Sequence, residues 1–205
     1  MKTSRVVMAL AISVAAGLTS LSASAQLPGE IVPPLPHAAS QAFYLSDADI
    51  GRQVDAYLST IDTPIPSSAW NSLGVRAQPI LAAIIDDHGN LPSRRAKAID
   101  GLAALGASQS LALFQATALS SSEPIAVRFA AVRALGQAVD PNDLPATISS
   151  IFEAADDSRV RALAAVVLVR RAGVGSCPSV RAQLSREAAE KAGQFDRALA
   201  LCAGR

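Results

Sequence analysis

The sequence has few aromatic side chains, which make up 4% of its 205 residues. A core without rings must be built mainly from Ala, Leu, Val and Ile, and these side chains suit helices packed closely side by side. The same shortage disfavours carbohydrate or nucleic-acid sites of the kind that stack rings on the ligand. Because 50% of the residues are hydrophobic, the chain can still bury a sizeable core.

No charge of one sign dominates the chain, since 18 basic residues stand against 17 acidic ones. Without Lys2 and Arg5, which lie in a predicted leader, 16 basic residues remain. A nearly neutral protein offers no basic field to a polyanion, so we expect no nucleic acid among its partners.

Side chains that commonly do chemistry are also scarce. The two histidines, His37 and His88, are far from each other and from both cysteines. There is no GxSxG sequence, no phosphate-binding loop of the Walker type and no dinucleotide-binding fingerprint. We therefore predict no catalytic residue, no cofactor and no metal site, and a protein that is not an enzyme.

Asp86, Asp87 and His88 form the sharpest polar cluster. Two carboxylates beside an imidazole could bind a divalent ion or act as acid and base. The alternative is an ordinary helix end, where Gly89 supplies a left-handed turn and the imidazole lies near the negative helix terminus. We favour the helix end, because no second acidic or histidine cluster at ligand spacing accompanies it.

The N-terminus has the pattern of an export signal over residues 1–25. Two positive charges in MKTSR precede the apolar run VVMALAISVAAGL, and Ala23-Ser24-Ala25 has the small-x-small form that signal peptidase accepts. An uncleaved membrane anchor is the alternative, although the run is short for a span. We expect cleavage, a Pro-rich linker over residues 26–45, no membrane span in the mature chain, and a periplasmic or secreted protein.

Cys177 and Cys202 are the only cysteines. In an oxidising compartment an even number of cysteines favours pairing, and a disulfide here would fix the last helix. The alternative is two buried, unpaired thiols.

The centre of the chain repeats one helical phrase three times, as RRAKAIDGL, VRFAAVRAL and VRALAAVVL. Equivalent side chains in the three copies are 33 residues apart: Arg95, Arg128 and Arg161; Ala98, Ala131 and Ala164; Leu102, Leu135 and Leu168. A fixed period of this size is typical of stacked repeat proteins. The sequence thus predicts an all-α solenoid in which each unit has a first and a second helix.

The regular units occupy residues 90–185 of a solenoid that spans residues 46–205. Residues 46–88 depart from the period, so we predict an atypical N-terminal cap, with Pro79 kinking or splitting a helix over residues 67–87. Residues 186–205 are predicted to form a C-terminal cap helix. Within the central unit, Gly136 is predicted to end the first helix.

The central copy, with Val127-Arg128, Ala130-Ala131 and Ala134-Leu135-Gly136 after an acidic residue, resembles a HEAT repeat. More narrowly, it is similar to the short HEAT-like repeat of phycobilisome lyases. The resemblance implies an α-α superhelix whose inner surface holds a partner protein, and a structural ladder of acidic residues and arginines between units. The matching residues are Asn90, Glu123 and Asp156 with Arg95, Arg128 and Arg161, and Asn90 departs from the acidic pattern.

These observations favour a non-catalytic protein-interaction or scaffold module with an unidentified protein or peptide as its partner. Exposed members of the second helices, such as Gln115 and Glu153, are the candidates for the binding surface. The alternatives are an enzyme or accessory subunit of lyase type and a structural component of the envelope.

Overall fold

The computed structural model describes residues 45–61, 63–106 and 108–204, and within these ranges it contains helices and no β-strand. The predicted leader and residues 26–44 of the predicted linker lie outside the described residues. The α-helices of these ranges are α1 Asp47–Ser59, α2 Ser67–Leu73, α3 Gln78–Asp86, α4 Pro92–Ala104, α5 Leu111–Leu119, α6 Ile125–Ala138, α7 Leu144–Ala154, α8 Ser158–Ala172, α9 Cys177–Leu184 and α10 Asp196–Cys202.

The helices form the predicted HEAT-like solenoid. The first helices α4, α6 and α8 pack side by side in chain order, and α10 packs beside α8. The second helices α3, α5 and α7 form the other layer, and each packs mainly against the first helix that follows it. The packed pairs are therefore α3 with α4, α5 with α6, and α7 with α8.

The repeated phrase forms the core between the layers. Leu102, Leu135 and Leu168 are no more than 1% exposed, and Ala98, Ala131 and Ala164 are fully buried. Equivalent side chains thus meet equivalent surroundings in successive units. Burying one such leucine contributes about 1.5–3 kcal/mol, which a lone helix pair could not obtain from this stripe.

The period extends further toward the N-terminus than the sequence analysis placed it. Helices α3, α5, α7 and α9 begin at Gln78, Leu111, Leu144 and Cys177, which are each 33 residues apart. Proline occupies the second residue of α3, α7 and α9, where its missing N–H would have no partner in the helix. Helix α3 therefore starts the regular array, and α1 and α2 precede it.

The helix expected over residues 67–87 is split, but the break lies before Pro79. Helix α2 ends at Leu73, the following Gly74 has a φ of 68° that suits glycine, and a short 3₁₀ turn, Val75–Ala77, leads into α3. Pro79 belongs to the first turn of α3 and does not kink it.

Gly136 does not end the central helix, since α6 continues to Ala138. It is buried where α6 crosses α8, and a Cβ atom at this position would lie 2.3 Å from Cγ1 of Val167. The glycine is required for close packing of the two helices and has no role as a cap.

The C-terminal segment is shorter in α-helix than predicted. A 3₁₀ helix, Ala189–Phe195, precedes α10, and Phe195 is fully buried at their junction. These two elements pack on the side of α8 where a further first helix would lie.

Candidate functional site

The predicted ladder begins with a buried ion pair between neighbouring units. Arg95 donates from Nη1 and Nη2 to the two carboxylate oxygens of Glu123, at 2.6 and 2.8 Å. Its Nε also donates to the carbonyl of Ile85 in the last turn of α3. Such carbonyls have no partner within their own helix, so Arg95 on α4 joins the end of α3 to the turn between α5 and α6.

Arg128 repeats this arrangement one unit later. It donates to Asp156 at 2.6 Å and to the carbonyl of Ala118, ten residues before it. The hydrogen bond from Arg128 is the main reason that the pKa of Asp156 lies below its ordinary value. Asp156 is exposed, however, whereas Glu123 is almost fully buried, so the two ladder pairs differ in surroundings.

Arg161 takes a partner that the sequence analysis missed. Its Nε and Nη2 each donate to a carboxylate oxygen of Glu187 at 2.6 Å, and the carbonyl that it binds is that of Ala155. The hydrogen bond from Arg161 lowers the pKa of Glu187. Glu187 lies 31 residues after Asp156, so it falls outside the period that identified the other acidic residues.

Asn90 takes no part in this ladder. Its side-chain amide donates to Asp87, which also accepts the backbone N–H of Gly89 at 2.9 Å. The turn after α3 is therefore held by a carboxylate, and Gly89 is not among the glycines with positive φ, contrary to prediction. His88 is exposed, and its Nδ1 lies 3.7 Å from Oε1 of Glu123.

Cys177 and Cys202 form a disulfide that joins the start of α9 to the end of α10. Helix α10 lies where a further first helix would pack. The disulfide therefore links α9, a second helix, to the helix that takes the place of its packing partner. Within the described ranges, no group of three or more His, Cys, Asp or Glu side chains is arranged to hold a metal ion.

The two residues proposed for the binding surface are placed differently. Gln115 is half-buried and donates to the hydroxyl of Ser150, so it links α5 to α7. Glu153 is exposed on α7 and lines a groove toward α9. The groove has a volume of about 190 Å³, and its other lining residues include Ser149, Phe152, Ser179, Gln183 and Arg186.

Gln183 is the unusual member of this α7–α9 groove. The side chain is 5% exposed, and its amide nitrogen donates to Glu187 at 2.8 Å. That bond directs the amide nitrogen to the carboxylate and leaves the oxygen Oε1 as an acceptor. Oε1 is buried and has no hydrogen-bond partner among the described residues.

A larger cleft of about 500 Å³ lies on the side of the first helices. Its lining residues include Pro64, Ile65, Trp70, Lys97, Asp100 and Arg133. Asp100 and Arg133 occupy equivalent positions on α4 and α6, and Arg133 donates to both carboxylate oxygens of Asp100. Burial raises the pKa of Asp100, and the nearby Arg133 opposes that shift. The sequence analysis did not select this cleft, because residues 63–65 come to it from outside the repeats.

Arg170 and Arg171 are both exposed at the end of α8. Arg171 donates from Nε to the carbonyl of Gly136 at 2.7 Å, beside the close crossing of α6 and α8.

None of the helices in the described ranges has both the length and the hydrophobicity that a membrane span requires.

Residues 77–169 match the family model of HEAT repeats. The match begins just before α3 and ends within α8, so it covers the three packed helix pairs. The match supports HEAT repeats in general, and it does not show the narrower phycobilisome lyase type. No curated protein and no solved structure matches the chain significantly.

Proposed function

We propose that this HEAT-repeat solenoid is an exported, non-catalytic module that holds a protein or peptide partner in the α7–α9 groove. HEAT repeats commonly serve as protein-interaction scaffolds. A solenoid suits this role because stacked units present a long, continuous surface built from neighbouring helices.

The observation that carries the proposal is the unpaired acceptor of Gln183 in this groove. Leaving a buried acceptor without a donor costs about 1–3 kcal/mol. Gln183 lines the groove, so an N–H group of a bound segment that reached Oε1 would remove that cost. Glu153 and Arg186 place opposite charges in the same groove, which favours a partner segment that carries both signs.

Export is supported by the disulfide, since such bonds persist in oxidising compartments and are rare in the cytosol. The N-terminal pattern also supports export, because it predicts a signal peptide over residues 1–25. A fusion of these residues to a reporter that is active only outside the cytoplasm tests export directly.

Site-specific photocrosslinking tests the binding surface. A photoreactive side chain at Ser179, in the groove, is compared with one at Gln53, which is exposed on α1. We expect a discrete crosslinked product from position 179 and none from position 53. The product should be lost on R186E and retained on R197E, which makes the same charge change on α10. Equal products at both positions, or none at 179, contradict the proposal.

A further inference from the structure

We propose that the cleft between α4, α6 and residues 63–65 is a second binding site, which takes the C-terminal residue of a partner polypeptide. An arginine of the cleft would bind the terminal carboxylate, and an apolar wall would take the last side chain. The inference rests on the proposed role as a protein-binding module, but it uses the side of the first helices, away from the α7–α9 groove.

Arg133 has hydrogen-bonding capacity that the described residues leave unused. Its Nη2 donates to both oxygens of Asp100, at 3.2 and 2.9 Å, whereas Nε and Nη1 donate to no group among the described residues. The side chain is 44% exposed, so these N–H groups can reach a ligand. A guanidinium offers several N–H groups in a planar arrangement that matches a carboxylate.

The charged side chains of the cleft are mainly positive. Lys97 and Arg133 are cationic and Asp100 is the acidic residue that lines the same cleft. Lys97 donates to the carbonyl and the hydroxyl of Thr60 at the end of α1, so its ammonium group has no carboxylate partner there. The cleft thus has an excess of one positive charge, which favours an anionic group over a neutral or cationic one.

The cleft also has an apolar wall, in which Trp70 is almost fully buried. Trp70 is 2% exposed, and its ring packs on Gly101 so closely that a Cβ there would lie 2.9 Å from it. Tyr57 contacts the same ring edge-on, with centroids 5.2 Å apart. The apolar surface that a ligand can reach is therefore that of Pro64, which is exposed, and of Ile65, which is partly buried. A preformed apolar surface needs no ordering when a ligand binds.

These features together select a chain terminus. In a C-terminal residue, the carboxylate and the side chain are attached to the same Cα, so one residue can contact Arg133 and the wall at once. An internal Asp or Glu cannot do this, because its carboxylate is its side chain and a second residue would have to supply the apolar contact.

The test measures fluorescence anisotropy of labelled peptides with the full chain. Three peptides end in Leu, Val or Phe with a free carboxylate, each has a C-terminally amidated twin, and a further amidated peptide carries an internal Glu. We expect amidation to weaken binding about tenfold or more, since it removes a charge-assisted hydrogen bond. Equal binding of the twins, or no binding by any free peptide, overturns the proposal. Equal binding of the internal-Glu peptide overturns the assignment to a chain terminus.

Variants locate the site. The double change R133Q/D100N removes the pair together and leaves neither charge unpaired, and R170Q removes an exposed arginine of α8 as a matched control. We expect the double variant to lose about tenfold in affinity for the free peptides and R170Q to bind them unchanged. Equal affinities of the two variants overturn the placement. If the double variant does not fold, the amidated twins still decide the question on the unaltered protein.

This experiment can fail without the photocrosslinking experiment failing. A product at position 179 together with equal binding of the peptide twins leaves the α7–α9 groove as the binding surface and removes the cleft.

Discussion

Arg95 and Glu123 are both almost fully buried, at 3% and 9% side-chain exposure, although they belong to different repeats. In the equivalent pair of the next unit, Arg128 is 4% exposed and Asp156 is 56% exposed. The same ladder position thus combines a buried arginine with an acid whose exposure differs, and this difference predicts that the two pairs contribute unequally to stability.

The variants E123Q and D156N test that inequality. Removing the charge of Glu123 leaves a buried guanidinium without its counter-charge, which should cost roughly 3 kcal/mol of unfolding free energy. Removing the charge of Asp156 should cost much less, because water reaches that pair. Urea unfolding of both variants measures the two losses. Similar losses would show that burial of the acid does not set the strength of the ladder.

The close crossing of α6 and α8 predicts the effect of G136A. The added methyl group would lie 2.3 Å from Val167, whose branched side chain has little freedom to move, so we expect a loss of about 1–3 kcal/mol. The double variant G136A/V167A should recover part of it. As a control, G51A in α1 meets no atom within 4 Å and should gain about 0.5–1 kcal/mol. Thermal unfolding compares the three, and a stabilising G136A would contradict the packing role.

The disulfide predicts a redox-dependent stability. The two cysteines are 25 residues apart in the sequence. In the chain-entropy model, a bond that closes a loop of this length contributes roughly 3 kcal/mol to stability. The variant C177S/C202S should unfold at a lower urea concentration than the oxidised protein and at the same concentration as the reduced protein. Unfolding with and without a reductant measures both. A reductant effect that persists in the double variant would show that the bond is not its cause.

Asp157 predicts one component of the acid stability. It is the N-cap of α8, and hydrogen bonds from Arg159 lower its pKa from 3.8 to about 2. Because the folded-state pKa is the lower one, the carboxylate stabilises the fold above pH 3.8, and this contribution is lost as the pH falls toward about 2.

The variant D157N keeps a capping side chain but removes the charge, so it should lose about 1 kcal/mol near neutral pH, and its difference from the parent should shrink toward pH 2. Urea unfolding across pH 2–7 measures the difference. D86N, which changes an exposed carboxylate at the end of α3, is the control and should show no such loss. A D157N difference that is constant with pH would contradict the assignment.

The repeated core was predictable because it depends on spacing alone. Side chains at equal intervals must meet equal surroundings in a stacked array, so Leu102, Leu135 and Leu168 could be placed before any coordinates. The acid of the ladder was predictable for Arg95 and Arg128 for the same reason.

Other features depend on particular contacts between distant segments. Glu187 pairs with Arg161 from a cap that does not keep the period, and Gly136 is read from sequence as a helix end although Val167 packs on it. The start of the array at Gln78 did leave a signal, namely prolines at positions 79, 145 and 178, whose separations are multiples of 33. The cleft beside Arg133 left none, because residues 63–65 reach it through folding.

The common register of α3, α5, α7 and α9 makes the length of this protein adjustable in whole modules. Residues 111–143 contain one complete helix pair and carry both Glu123 and Arg128. A tandem duplicate of that segment would bring an acid for the arginine upstream and an arginine for the acid downstream. We expect such a longer chain to fold with one extra ladder pair and unchanged ends.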